Sequence, residues 1–165
     1  MIPLDVYQAG GIDLSLMTEH DLLEVVEIEE SCGLSRWGWE GYHTELLSEE
    51  AALMIVARPL AAERNWGGEP QLAGFIVARL AADEMHVNNV AVREAYRRRG
   101  LGGALLSAAL EQGRARGARK AFLEVRADNA AAQSLYARHG FEVVGRRANY
   151  YSQPVEDALV MVALL

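Results

Sequence analysis

Two periods of hydrophobicity take turns along this chain. Residues 12–17 alternate apolar and polar like a short strand. Thr18 followed three residues on by Asp21 is a capping-box pattern that opens a helix to about residue 30. A turn rich in Gly, Ser and Trp, residues 32–38, separates it from a second helix near 40–47. Residues 52–57 and 72–80 read as paired strands joined by a loop holding Asn65, Gly67, Gly68 and Pro70, and 86–92 as a further strand. Leu101, Leu105, Leu106, Ala109 and Leu110 then fall at helical spacing, ended near residues 113–117. A β-branched and aromatic strand follows at 121–126. Asn129 can cap a helix that runs to His139, with Gly140 as its stop. Residues 141–144 and 158–164 close the chain as two strands around an irregular loop rich in Tyr, Asn and Pro. Strand and helix signals interleave without a repeat or linker. They predict one α/β (α+β) domain over residues 1–165, a mixed, mainly antiparallel sheet flanked by helices.

Composition narrows the function classes. The 165 residues are 51% apolar and 24% charged, which is ordinary for one globular core. No apolar run approaches the roughly 18 residues of a membrane span, and residues 1–13 lack a basic segment followed by an apolar one, so a soluble, cytoplasmic protein with no membrane partner is expected. The single Cys32 excludes an intramolecular disulfide and a multi-thiolate zinc site. His20, His43, His86 and His139 have no metal-ligand spacing, so no metal is expected. The net charge of −7 hides an asymmetry. Residues 1–50 carry twelve Asp or Glu against the one base Arg36, whereas 93–126 carry nine Arg or Lys against Glu94, Glu111 and Glu124. One region should welcome an anion and the other a cation.

The sharpest local signal is Arg97-Arg98-Arg99-Gly100-Leu101-Gly102-Gly103, between a strand and an amphipathic helix. Glycines admit close approach of a ligand to the main chain, successive N–H groups point into the turn, and the positive end of the helix dipole lies behind them. This is a diphosphate cradle. It is not a Walker loop, for no Gly-Lys-Ser/Thr follows, and Leu105 stands where the dinucleotide fingerprint needs a small residue. A nucleic-acid role for the arginines is not expected, because the loop consumes them and a pI near 5.1 leaves no broad basic face.

With these motifs in place, the chain resembles the GNAT acetyltransferase superfamily. Arg97, Gly100 and Gly102 match its acyl-CoA loop pattern Gln/Arg-x-x-Gly-x-Gly/Ala, Asn89-Val90-Ala91-Val92 its preceding strand, and residues 129–141 its next helix and turn. A narrower resemblance is to ribosomal-protein-alanine N-acetyltransferases, the RimI type. It rests on Leu123-Glu124-Val125-Arg126, Asn129-Ala130-Ala131-Ala132, Leu135-Tyr136, Gly140-Phe141, Arg147, Asn149-Tyr150-Tyr151 and Glu156-Asp157-Ala158. Ser35-Arg36-Trp37 stands about where that type carries a Pro-Trp-Ser turn, so the likeness is weaker at the acceptor side.

The resemblance implies the GNAT fold and direct transfer from acetyl-CoA, the cosubstrate, to an amine, without a covalent enzyme intermediate. It implies that pantetheine lies against the backbone of Val90, Ala91 and Val92, and the diphosphate on Arg97, Arg98, Arg99, Gly100, Leu101, Gly102 and Gly103. Asn129 both caps its helix and bonds the CoA moiety. Glu124 matches the proton acceptor, directly or through a water, and Tyr136 the proton donor. Trp37, Tyr150 and Tyr151 are candidates for the acceptor slot. The implied partner is the N-terminus of a basic ribosomal protein, which the acidic first 50 residues would attract. A small-molecule amine or a lysine side chain is the alternative acceptor, and a CoA-binding regulatory module without turnover the alternative class.

Overall fold

The computed structural model describes residues 11–48, 50–60 and 72–165. They build one seven-stranded sheet in the order β1-β2-β3-β4-β5-β7-β6. The strands are β1 (Ile12–Leu16), β2 (Ala52–Pro59), β3 (Gly74–Ala81), β4 (Glu84–Val92), β5 (Lys120–Arg126), β6 (Glu142–Ser152) and β7 (Val155–Leu164). The helices are α1 (Leu22–Ser31), α2 (Gly38–Leu46), α3 (Leu101–Ala115) and α4 (Ala130–Arg138). Every strand pair is antiparallel except β4–β5.

The apolar run in β2 shows why the sheet is central. Leu53, Ile55 and Ala57 point into a core shared with Leu105, Leu106 and Ala109 of α3. Met54 and Val56, on the opposite face, pack with Leu22, Val25 and Ile28 of α1 and with Tyr42 of α2. A strand covered on both faces is apolar at every position, which is why its alternation is muted. Glu29 is 1% exposed in α1. Its carboxylate accepts the N–H groups of Trp37 and Gly38 at 2.9 and 3.2 Å, holding the start of α2.

Two irregularities position the site. Along β3–β4 the register steps from Val77↔Asn89 to Ala78↔Val87, leaving Asn88 as the extra residue of a bulge. The parallel β4–β5 ladder holds only from Glu84↔Lys120 to His86↔Phe122. Beyond that both strands run on, β4 to Val92 and β5 to Arg126, with no further pairing between them. The sheet is split there, and main-chain groups along the β5 side of residues 87–92 are left without a strand partner.

The expected strands and helices are present, with one correction. The irregular loop expected between 144 and 158 is mostly strand: β6 and β7 form a long hairpin with a short turn. Asn149, at φ 50°, and a register step between Arg147 and Tyr151 interrupt the pairing without ending it. Near the start, the helix expected from Thr18 opens as a single 3-10 turn, Glu19–Asp21, before α1, and the Thr18 N–H donates to Asp21 at 2.8 Å. Asn65, Gly67, Gly68 and Pro70, the expected strand connection, lie outside the described residues.

Gly74 yields a stability prediction. A Cβ there would sit 2.5 Å from the Ala91 carbonyl oxygen, so β3 and β4 approach as only glycine permits. Gly74→Ala should destabilise by about 1–3 kcal/mol, seen as a lower denaturant midpoint, because the backbone of Ala91 and Val92 would have to move.

Candidate active site

The loop after β4 is built for an anion. Arg98 and Gly100 adopt left-handed conformations, φ 62° and 77°. The first intrahelical bond of α3 runs from the Ala104 N–H to the Gly100 carbonyl at 3.0 Å. The N–H groups of Leu101, Gly102 and Gly103 therefore have no partner within the helix. A Cβ on Gly102 would lie 3.3 Å from Leu135, and one on Gly103 3.4 Å from His139, so α3 starts close against α4. Positively polarised N–H groups, a 15-residue helix behind them and flanking arginines suit a diphosphate. Arg97 is tied down through its own side chain. Its Nε donates to the Val92 carbonyl at 2.9 Å and its Nη2 to Cys32 Sγ at 3.3 Å, so it straps the loop to the end of β4 and to α1.

The split between β4 and β5 opens into a cavity of about 240 Å³. Val90, Asn129, Glu124 and Tyr136 line it, together with Trp37, Tyr150 and Tyr151. Elements far apart in sequence thus bring the expected catalytic and acceptor-slot residues to one place. Val90, Ala91 and Val92 follow one another along the unpaired edge of β4, and the Arg97–Gly103 segment continues from its end. Asn129 caps α4, accepting the Ala132 N–H at 3.1 Å, while its side of the helix faces the cleft. Cys32 also stands in the cleft wall. Trp39 stacks on His43, ring centroids 4.6 Å apart, and is not among the residues lining the cavity.

Strand alternation places Glu124 as the sequence suggests. Leu123 and Val125 enter the core below, and the Glu124 side chain, 9% exposed, turns into the cleft. Two side chains meet its two oxygens. His86 Nε2 lies 2.7 Å from Oε2, and Arg147 Nη2 lies 3.5 Å from Oε1. Arg126 pairs instead with Glu156 at 3.1 Å and donates to the Gln153 carbonyl at 3.1 Å. It also covers the Tyr151 ring at 4.2 Å, fastening the β6–β7 hairpin over the cleft. Tyr136 packs against Phe141, and burial, helped by nearby Tyr151, pushes its phenol up to about 12. Burial, then the neighbouring Tyr150, pushes Tyr151 up to about 12 as well. Both phenols hold their protons near neutrality.

Several site features escape the sequence reading. His86 was legible only as one of four histidines without metal spacing, and Arg147 only as part of a family pattern. Asn88, at the bulge, also lines the cleft, and its Oδ1 is buried without a hydrogen-bond partner. The acidic N-terminal region is less available than its count suggests. Glu24 and Glu27 share Arg93, at 3.0 and 3.3 Å, Glu30 binds Arg36 at 3.0 Å, and Glu29 is buried. Among the described residues no cluster of His, Cys, Asp or Glu could hold a metal ion, and no helix is long and apolar enough to cross a membrane.

Residues 22–141 match the acetyltransferase (GNAT) family, and the chain belongs to it. It is an acetyl-CoA-dependent N-acetyltransferase. A Bacillus subtilis protein named "Putative ribosomal protein bS18-alanine N-acetyltransferase" is 34% identical over 145 residues, 88% of this chain and 90% of that one. The Escherichia coli K12 ribosomal protein bS18-alanine N-acetyltransferase is 41% identical over 93 residues, 55% of this chain and 63% of that one. The crystal structure of the ribosomal-protein-S18-alanine N-acetyltransferase from Escherichia coli superposes with a TM-score of 0.77 at 30% identity, covering 93% of each chain.

Proposed function

We propose that this enzyme acetylates the α-amine of a protein N-terminus, that of an alanine-starting ribosomal protein foremost. The observation that carries the chemistry is the Glu124 carboxylate held inside the β4–β5 cleft, in the same cavity as Tyr136 and the rings of Trp37, Tyr150 and Tyr151. The names of the similar proteins favour the acceptor.

Bound acetyl-CoA supplies an acetyl group activated as a thioester. The chain's residues do the rest. The free edge of β4 at Val90, Ala91 and Val92 offers main-chain hydrogen bonds to an extended arm, as a missing strand would. The amides from Arg98 to Gly103 take the diphosphate, and Asn129 bonds the cofactor from the far wall. Glu124 accepts the proton of the incoming ammonium, leaving the amine lone pair free to attack. Tyr136 gives its proton to the departing sulfur. Trp37, Tyr150 and Tyr151 exclude water and line the slot for the first acceptor residue.

Magnitudes favour an α-amine over a lysine. With ordinary pKa values near 8 and 10.4, freeing lysine's lone pair at neutral pH costs roughly 3 kcal/mol more. One carboxylate suits the easier proton. The glutamates of α1 contribute less attraction for a basic tail than their number implies. Reversing their charge would break internal bonds before it tested acceptor binding.

The test compares a basic peptide that starts with alanine and contains lysines with the same peptide blocked at its α-amine. A kcat/KM at least about 100-fold higher for the free α-amine is expected, in keeping with the roughly 3 kcal/mol separating the two amines. Equal rates would overturn the reading in favour of lysine, and transfer to neither, with rapid transfer to small amines, in favour of a small-molecule acceptor.

A further inference from the structure

We propose that His86 is the positioning residue of Glu124 and the outlet for the proton that Glu124 removes, an assignment that rests on Glu124 being the base. Three observations support it. The Nε2–Oε2 distance of 2.7 Å is that of a charge-assisted hydrogen bond. The imidazole lies flat on Phe122, centroids 4.4 Å apart and planes 12° apart, so the ring is pinned with Nε2 toward the carboxylate. The histidine side chain is 31% exposed while that of Glu124 is 9% exposed, so the imidazole stands between a sheltered carboxylate and water.

The surroundings single out His86. Arg147, reaching from β6 to the other oxygen at 3.5 Å, is a fixed cation and cannot take a proton. Arg79, the register partner of His86 on β3, is held by Glu45 through bonds of 2.9 and 2.8 Å. Tyr151 retains its proton. Among the described residues around Glu124, the imidazole is the side chain whose ring nitrogens can both accept and donate a proton. The proton therefore moves in three transfers: from the acceptor ammonium to the Glu124 carboxylate, from the resulting carboxylic acid to neutral imidazole, and from imidazolium to water. Glu124 returns to its charged form before the next acceptor arrives, and no group is consumed.

The register explains why these residues meet. His86 and Phe122 are the last paired positions before β4 and β5 part. Glu124 lies two residues further along β5, on the same face as Phe122, and so overhangs the ring that Phe122 supports. The split that opens the cleft begins where the pair that serves it is assembled.

The experiment measures turnover with whichever amine the wild-type enzyme acetylates best, so that a wrong acceptor assignment leaves this test intact. His86→Ala should lower kcat about 10- to 100-fold, a share of what a general base contributes, with acetyl-CoA affinity and acceptor KM nearly unchanged. Added imidazole should restore turnover. Pyrazole, of the same shape but too weak a base to carry the proton, should not. His86→Gln, which keeps a hydrogen-bond donor, should be as slow as His86→Ala. Equal rescue by both heterocycles, or a fully active His86→Gln, would reduce the histidine to a packing or orienting role and overturn the outlet. Full activity in Glu124→Gln would remove the base itself, a result distinct from wild-type kcat in His86→Ala alongside an impaired Glu124→Gln.

Discussion

Glu124→Gln should lower kcat by about 10²–10⁴, the range a positioned general base contributes, while leaving the dissociation constant of acetyl-CoA within about two-fold. The two effects separate because cofactor and proton are handled by different parts of the cleft. In the proposed arrangement the cofactor meets the free edge of β4 and the start of α3, whereas Glu124 stands on β5. Glutamine fills nearly the same volume and can still accept a bond from His86, so the substitution removes basicity more than shape. Steady-state turnover by thiol release, with calorimetry for binding, measures both. A kcat within three-fold of wild type would mean that water or another group removes the proton.

Tyr136→Phe should lower kcat by about 100-fold or more, with acetyl-CoA binding preserved. The phenol belongs to a well-buried ring that packs on Phe141, so phenylalanine keeps the packing and deletes only the donor. Burial and Tyr151 raise its pKa to about 12, which favours the neutral, proton-carrying form. The sign matters for the pH profile. A raised phenol pKa keeps the donor loaded through neutral and mildly alkaline pH, so ionisation of Tyr136 should cause no fall in kcat below about 12. An alkaline fall near pH 10 in the wild type that disappears in Tyr136→Phe would contradict the raised pKa, and a kcat unchanged by Tyr136→Phe would contradict the donor role.

The parts of the molecule that were legible in sequence are those whose side chains report their own environment. The leucines of α3 declare one buried face, and Leu123 and Val125 against Glu124 declare the two faces of β5. Gly100 and Gly102 mark the loop by what a side chain would prevent. The β6–β7 hairpin was less legible for the opposite reason. β6 is an edge strand exposed along nearly its whole length, so polar residues occupy both of its faces and no alternation appears. The pairing of His86 with Glu124 depends on the register of a parallel ladder between strands separated by α3, and no local period encodes that register. The internal partner shared by Glu24 and Glu27 was hidden in the same way, since Arg93 is distant in sequence and only the fold brings it to α1.

The most direct measurement of the central claim is to incubate the enzyme with acetyl-CoA and a basic peptide that begins with alanine and contains internal lysines, then locate the added mass by fragmentation. An acetyl group on the α-amine alone is the predicted result. An acetyl group found only on lysine, or none at all while acetyl-CoA binds, would contradict N-terminal transfer.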